Sequence, residues 1–185
     1  NTMFPVMKLA QNDKTIKSLN ICAGMHLVKE FGNTWKELIK DNLRIDAKVS
    51  FLNNVDLPYD FSKQLAKGVL EFTKVMEKLK PDIICVSGDR IENLSLFVSA
   101  TALKIPLAHM CGGDETEGAI DNQIRHTMTK LSHLHFVSMP LHELRVRKMG
   151  EEKWRIFNTG LASNDLIDMN KLAKISELEN FFKIN

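Results

Sequence analysis

The stretch PDIICVSGDR, residues 81–90, decides the fold. Asp82–Ser87 (DIICVS) reads as a continuous apolar run rather than an alternating one, the pattern of a strand covered by helices on both faces, and it stops at Gly88-Asp89. Upstream, Tyr59–Lys80 places Leu65, Val69, Phe72, Val75, Met76 and Leu79 on one face of a long helix that Pro81 ends. Downstream, the pattern predicts a helix over Ile91–Leu103 and a strand over Ile105–Met110. A helix over Ile120–Leu131 follows, then a strand over His133–Val137, a helix over Pro140–Met149 closed by Gly150, and a last strand over Trp154–Phe157. Before the decisive run lie a helix (Met3–Ala10), a strand (Ser18–Ala23), a helix (Trp35–Lys40) behind the caps Asn33-Thr34, and a strand (Ala47–Leu52). This alternation predicts an α/β fold, a Rossmann-like parallel sheet with helices on both faces and right-handed crossovers. Leu172–Phe182 reads as an amphipathic tail.

Composition bounds the function. The 185 residues are 44% hydrophobic and 26% charged, enough for one substantial core. The 25 basic and 23 acidic residues nearly cancel, and no run of five like charges supplies the footprint that tracks a phosphate backbone, so no nucleic-acid partner is expected. Three cysteines form neither an even framework nor a CxxC pair, and no apolar stretch reaches 18 residues. A soluble chain of the reducing cytoplasm is expected, with no membrane partner.

In parallel sheets ligands bind outside the carboxyl ends of the strands, and the proposed strands deliver Asp89, His109 and His135 to that edge. Each feature also has a plain structural reading. Gly88 lets backbone approach a ligand beside Asp89, or Asp89 caps the next helix. GGDETEG (112–118) is a ligand loop, or a turn with a capping box of Thr116 and Glu117 and with Asp121 at the positive helix end. Asp121 and Arg125, four apart, either form a solvated pair or hold a substrate oxyanion and a base in register. His133 and His135 are predicted to share one strand face, a spacing that suits metal ligation or proton transfer. The decisive expectation is convergence of Asp89, Asp121, His109 and His135 at one rim.

The run GGDETEGAIDNQIRHTMTKLSHLHFV (112–137), with VSGDR before it, GMHLVKEFGNTW (24–35) upstream and RIFNTGLASNDLI (155–167) after it, resembles the hydrolysing UDP-N-acetylglucosamine 2-epimerase family. The resemblance leans to the bacterial sialic-acid and legionaminic-acid branch. It implies the N-terminal lobe of a glycosyltransferase-B type fold over residues 1–168 with its first strand missing, a tail or inter-lobe helix over 169–185, and an absent second lobe. It implies a nucleotide-sugar substrate, neither metal nor other cofactor, and a homo-oligomeric intact parent. It implies catalytic roles for Asp89, Glu117, Asp121 and His109, and substrate contacts from His26, Gly88, Arg90, Asp114, Arg125, His133 and His135. Cys111 stands where many members carry Glu or His, so the local acid or base is expected from Asp114 or Glu117. On this reading the 185 residues alone turn over little or no substrate. Two other readings compete: a metal-dependent hydrolase using His109, His133, His135 and Asp121, and a non-catalytic module that self-associates through Leu172, Ile175, Leu178 and Phe182.

Overall fold

The computed structural model describes residues 2–53, 58–117, 120–168 and 172–183. Gly118 and Ala119 of the quoted motif, and residues 169–171 and 184–185 of the tail, lie outside them. Six short strands are described: β1 (Ile21–Ala23), β2 (Ala47–Val49), β3 (Ile84–Ser87), β4 (Leu107–Met110), β5 (Leu134–Val137) and β6 (Ile156–Asn158). The helices are α1 (Phe4–Asn12), α2 (Trp35–Lys40), α3 (Pro58–Leu79), α4 (Asn93–Ala102), α5 (Asp121–Leu131), α6 (Pro140–Lys148) and α7 (Ile175–Phe182). All pairings are parallel, as the alternation predicts.

The strands form two ladders, β1-β2 and β3-β4-β5-β6. One apolar core serves both: Val49, Phe51 and Leu52 pack in the same cluster as Val86, Phe97, Leu107 and Met128. Two polar contacts also span the seam. Thr2 Oγ1 lies 2.9 Å from Ser87 Oγ, and Arg90 Nη2 donates to Met25 Sδ at 2.8 Å.

α3 and α4 pack closely because Gly68 removes a side chain at their contact. A methyl there would sit 2.8 Å from Ser95 Oγ and 2.9 Å from the Phe51 ring. Ser95 and Ser99 then donate to the α3 carbonyls of Leu65 and Val69, both at 2.8 Å, so buried hydroxyls find partners inside the helix pair. α3 stops one residue short of Lys80, whose φ of 49° turns the chain into Pro81.

The strands are shorter than expected, β2 and β6 for identifiable reasons. β2 ends at Val49, yet Phe51 and Leu52 remain buried, so their apolarity reports core packing rather than pairing. The last strand begins at Ile156, because Lys153–Arg155 form a 3₁₀ turn that leaves Trp154 68% exposed.

Candidate active site at the carboxyl edge

The turn after β3 is built around Gly88, at φ +85°, a conformation that suits glycine. Its carbonyl accepts a 2.8 Å hydrogen bond from His109 Nε2 in the neighbouring strand. His109 Nδ1 lies 3.2 Å from Thr129 Oγ1 of α5. The ring is wholly buried, and burial chiefly, with the charges of His135 and Arg125, lowers its pKa to about 4. His109 is therefore a neutral prop beneath the turn that carries Asp89. Expected among the catalytic groups, it is wholly buried here and bonds to the backbone of the turn that carries Asp89.

Asp89 does not cap α4, whose first turn shows no side-chain cap. Its carboxylate pairs with Arg125 of α5, a guanidinium exposed by only 7%. Arg125 also reaches Thr116 Oγ1 at 3.2 Å and Asn122 Oδ1 at 3.3 Å. Asn122 Oδ1 in turn accepts from the Thr116 N–H at 2.8 Å. Thus Arg125 turns across the strand ends to Asp89 rather than along its own helix to Asp121, and it ties the 114–117 segment to the β3 turn. The capping-box reading of Thr116 and Glu117 is not met, since α5 begins at Asp121 without a side-chain cap. Asp121 is half-buried in the first turn and Glu117 is exposed in the preceding turn.

Cys111 follows β4 at φ +63°, a strained position for a residue with a side chain. Its Sγ is 3.8 Å from Ser87 Oγ. Burial raises its thiol pKa first of all, the Ser87 bond opposes this, and Asp114, Arg125 and Asp89 all act on it electrostatically. Ser87 and Cys111 thus face each other across the ends of β3 and β4.

On the far side of the seam, His26 Nδ1 meets Thr34 Oγ1 at 2.6 Å, so Thr34 binds a histidine rather than capping α2. Desolvation, then the Arg90 charge, depresses the His26 pKa. Arg90 itself pairs with Glu92 at 2.8 Å.

Two histidines do not join this group. His133 is exposed and precedes β5; its Nδ1 accepts from Leu107 N at 3.2 Å, which places it at the amino end of the sheet. His135, register partner of His109, is wholly buried inside the sheet, and its Nε2 meets Glu151 at 3.2 Å. Glu151 also binds Lys130 and, at 2.8 Å, Arg155. Burial alone would raise its carboxyl, but Lys130, His135 and Arg155 together hold it below the ordinary value, while desolvation lowers His135. The pair is a buried structural anchor of neutral His and ionised Glu. The histidine set of the metal-hydrolase reading is accordingly dispersed, and among the described residues no three His, Cys, Asp or Glu groups gather to hold a metal ion.

His142 and Arg145 were not anticipated from the sequence. Both lie on α6 and grip the turn after β4, Arg145 through the Gly113 carbonyl and Glu115, and His142 beside Asp114. Their three-residue spacing, which aligns them on one helix face, was the available signal.

Residues 8–183 match the family described as UDP-N-acetylglucosamine 2-epimerase. A Campylobacter jejuni protein named GDP/UDP-N,N'-diacetylbacillosamine 2-epimerase (hydrolyzing) is 42% identical over 165 residues, 89% of this chain and 43% of its own length. A Legionella pneumophila protein named UDP-N,N'-diacetylbacillosamine 2-epimerase (hydrolyzing) is 36% identical over 176 residues, 92% of this chain and 45% of its own. The chain spans about half the length of the curated relatives it matches. The fold matches the crystal structure of UDP-GlcNAc 2-epimerase from Neisseria meningitidis bound to UDP-GlcNAc, with TM-score 0.77 and 21% identity over 98% of this chain and 50% of that one.

Proposed function

The chain belongs to the UDP-N-acetylglucosamine 2-epimerase family, and on that premise we propose that it supplies the sugar-side half of a hydrolysing nucleotide-sugar 2-epimerase. The observation that carries the proposal is the Asp89–Arg125 pair at the sheet's carboxyl edge, with Thr116, Asn122 and Asp114 gathered around the same strand ends. The relatives at 42% and 36% identity are named for diacetylbacillosamine substrates, which favours a UDP-linked 2,4-diacetamido-trideoxyhexose over UDP-N-acetylglucosamine.

Inverting C2 requires removal of a weakly acidic hydrogen while the diphosphate leaves C1. A carboxylate takes the C2 proton as the C1–O bond to the diphosphate breaks, and a C1=C2 double bond forms. Water then adds, with hydroxyl to C1 and a proton to C2 from the opposite face. Two acid–base groups and one cation are needed. Asp89 and Asp121 suit the acid–base roles, with Asp114 and Glu117 on the adjoining turn. Arg125 suits the departing charge, because it is already desolvated and held in place by Asn122 and Thr116. His26 and Arg90 would border the same substrate from the β1 side.

On this proposal residues 1–168 act as one lobe, and the remaining length of the relatives supplies most nucleotide contacts, so the 185 residues alone release little UDP. The intact assembly is proposed to be a homo-oligomer. The test is NMR of the released sugar after incubation in heavy water, with the chain complemented by the C-terminal half of the Campylobacter relative. Deuterium at C2 is required by elimination and rehydration, and a manno-configured product without it rejects the mechanism.

A further inference from the structure

α6 reaches back over the glycine turn that follows β4. Gly113, at φ +78°, lies so close that a methyl there would sit 2.5 Å from the His142 carbonyl oxygen. Arg145 donates to the Gly113 carbonyl and pairs with Glu115 at 2.8 Å. Between these contacts, His142 Nε2 stands 3.4 Å from Asp114 Oδ1, and its Nδ1 is 2.9 Å from Ser138 Oγ. The histidine side chain is only 8% exposed, whereas that of Asp114 is 48% exposed. A buried arm rooted on α6 thus ends on a half-open carboxylate at the rim.

An ionised carboxylate only accepts, so a hold on Asp114 needs the hydrogen on Nε2, which leaves Nδ1 to accept the Ser138 hydroxyl proton. Asp114 Oδ1 also accepts the Glu115 N–H at 2.8 Å, and His142, itself locked by Ser138, adds a second partner that narrows the carboxylate's freedom before a ligand arrives.

We propose that His142, backed by Ser138 and flanked by Arg145, is a positioning residue that holds Asp114 toward the sugar at the carboxyl edge. The word sugar rests on the epimerase proposal above; the clamp does not. Asp114 lies on the turn after β4 and Asp89 on the turn after the neighbouring β3, so the held carboxylate and the group that the reaction would use stand at the same edge of the sheet.

The experiment uses the ¹⁵N-labelled 185-residue chain. Ring correlations should show His142 protonated at Nε2 and free at Nδ1. In His142→Leu the amides of Gly113–Glu117 should exchange about tenfold faster while those of β3 to β6 keep their rates. His142→Gln, which retains an N–H donor, should recover most of the protection. An Nδ1–H tautomer, unchanged exchange in the Leu variant, or equal loss in the Leu and Gln variants overturns the clamp. If the Leu variant loosens the whole sheet, the tautomer and the Gln rescue still decide. Titration of the labelled chain, complemented by the C-terminal half of the Campylobacter relative, with the UDP-linked diacetamido sugar separates the two proposals. Shifts at Asp114 that vanish in His142→Leu support both, whereas no shifts with an intact clamp reject the epimerase reading and leave the clamp standing.

Discussion

Acidification tests how the site is propped. His109 is wholly buried with its pKa lowered from 6.5 to about 4, first by burial. The folded state therefore holds the ring neutral, while the unfolded chain takes up a proton below about pH 6.5. Stability from this group is fully present above that value and is lost as pH falls from about 6.5 towards 4. The loss is about 2 kcal/mol by pH 5 and about 3 kcal/mol once the folded ring itself protonates. His135, also depressed by desolvation, adds a loss of the same sign, whereas Glu151, held below 4.5, contributes only at lower pH. Urea unfolding at pH 7 and pH 5 should show the drop in the natural chain, reduced by about 2 kcal/mol in His109→Gln, which keeps a donor for the Gly88 carbonyl but cannot ionise. Parallel pH dependence in the two proteins, or an NMR titration of the His109 ring near 6.5, would refute the buried neutral prop.

Three further outcomes are expected. Gly113→Ala combines a forbidden φ with backbone contact at 2.5 Å, so it should lower stability by about 3 kcal/mol in the same urea assay. Glu151→Ala strips the carboxylate from Lys130, Arg155 and His135; about 3 kcal/mol should be lost, and a variant as stable as the parent would show the cluster to be incidental. Exhaustive chelation should leave the melting temperature unchanged, and a drop of several degrees would revive the metal-dependent reading.

Most of the architecture was legible because periodicity and burial say the same thing at β3, β4, α3 and α5. The apolar run before Gly88 became a four-residue strand, and the stripe from Leu65 to Leu79 became one face of α3. Pairing was less legible than burial: Phe51 looks like strand and is core, but no ladder reaches it. Alternation placed His133 with His135, yet His133 stands before the first paired residue, where the pleat does not yet set direction. Spacing brought Asp121 and Arg125 together, but a buried guanidinium takes the partner that best offsets its desolvation, and that partner lies 36 residues away at Asp89. The spacing of His142 and Arg145 aligns them on one face of α6, but their partners Asp114 and Glu115 were invisible for a related reason. Contacts between a helix and a turn some 30 residues apart leave no local pattern.

The division of the strands into two ladders bears on how rigid the rim is. Asp89 and Asp114 stand on turns that follow strands of the four-stranded ladder, and Arg125 on α5 pairs with Asp89, while His26 stands beyond the end of β1 in the other ladder. Within each ladder, spacing is fixed by directional amide bonds. Across the seam, among the described residues, it depends on apolar side chains and a few polar tips such as Arg90 on Met25. Apolar contact has no preferred direction and resists sliding weakly. The breadth of the rim is thus its compliant dimension, and a ligand that bridges His26 and Asp89 would set that width by its own size.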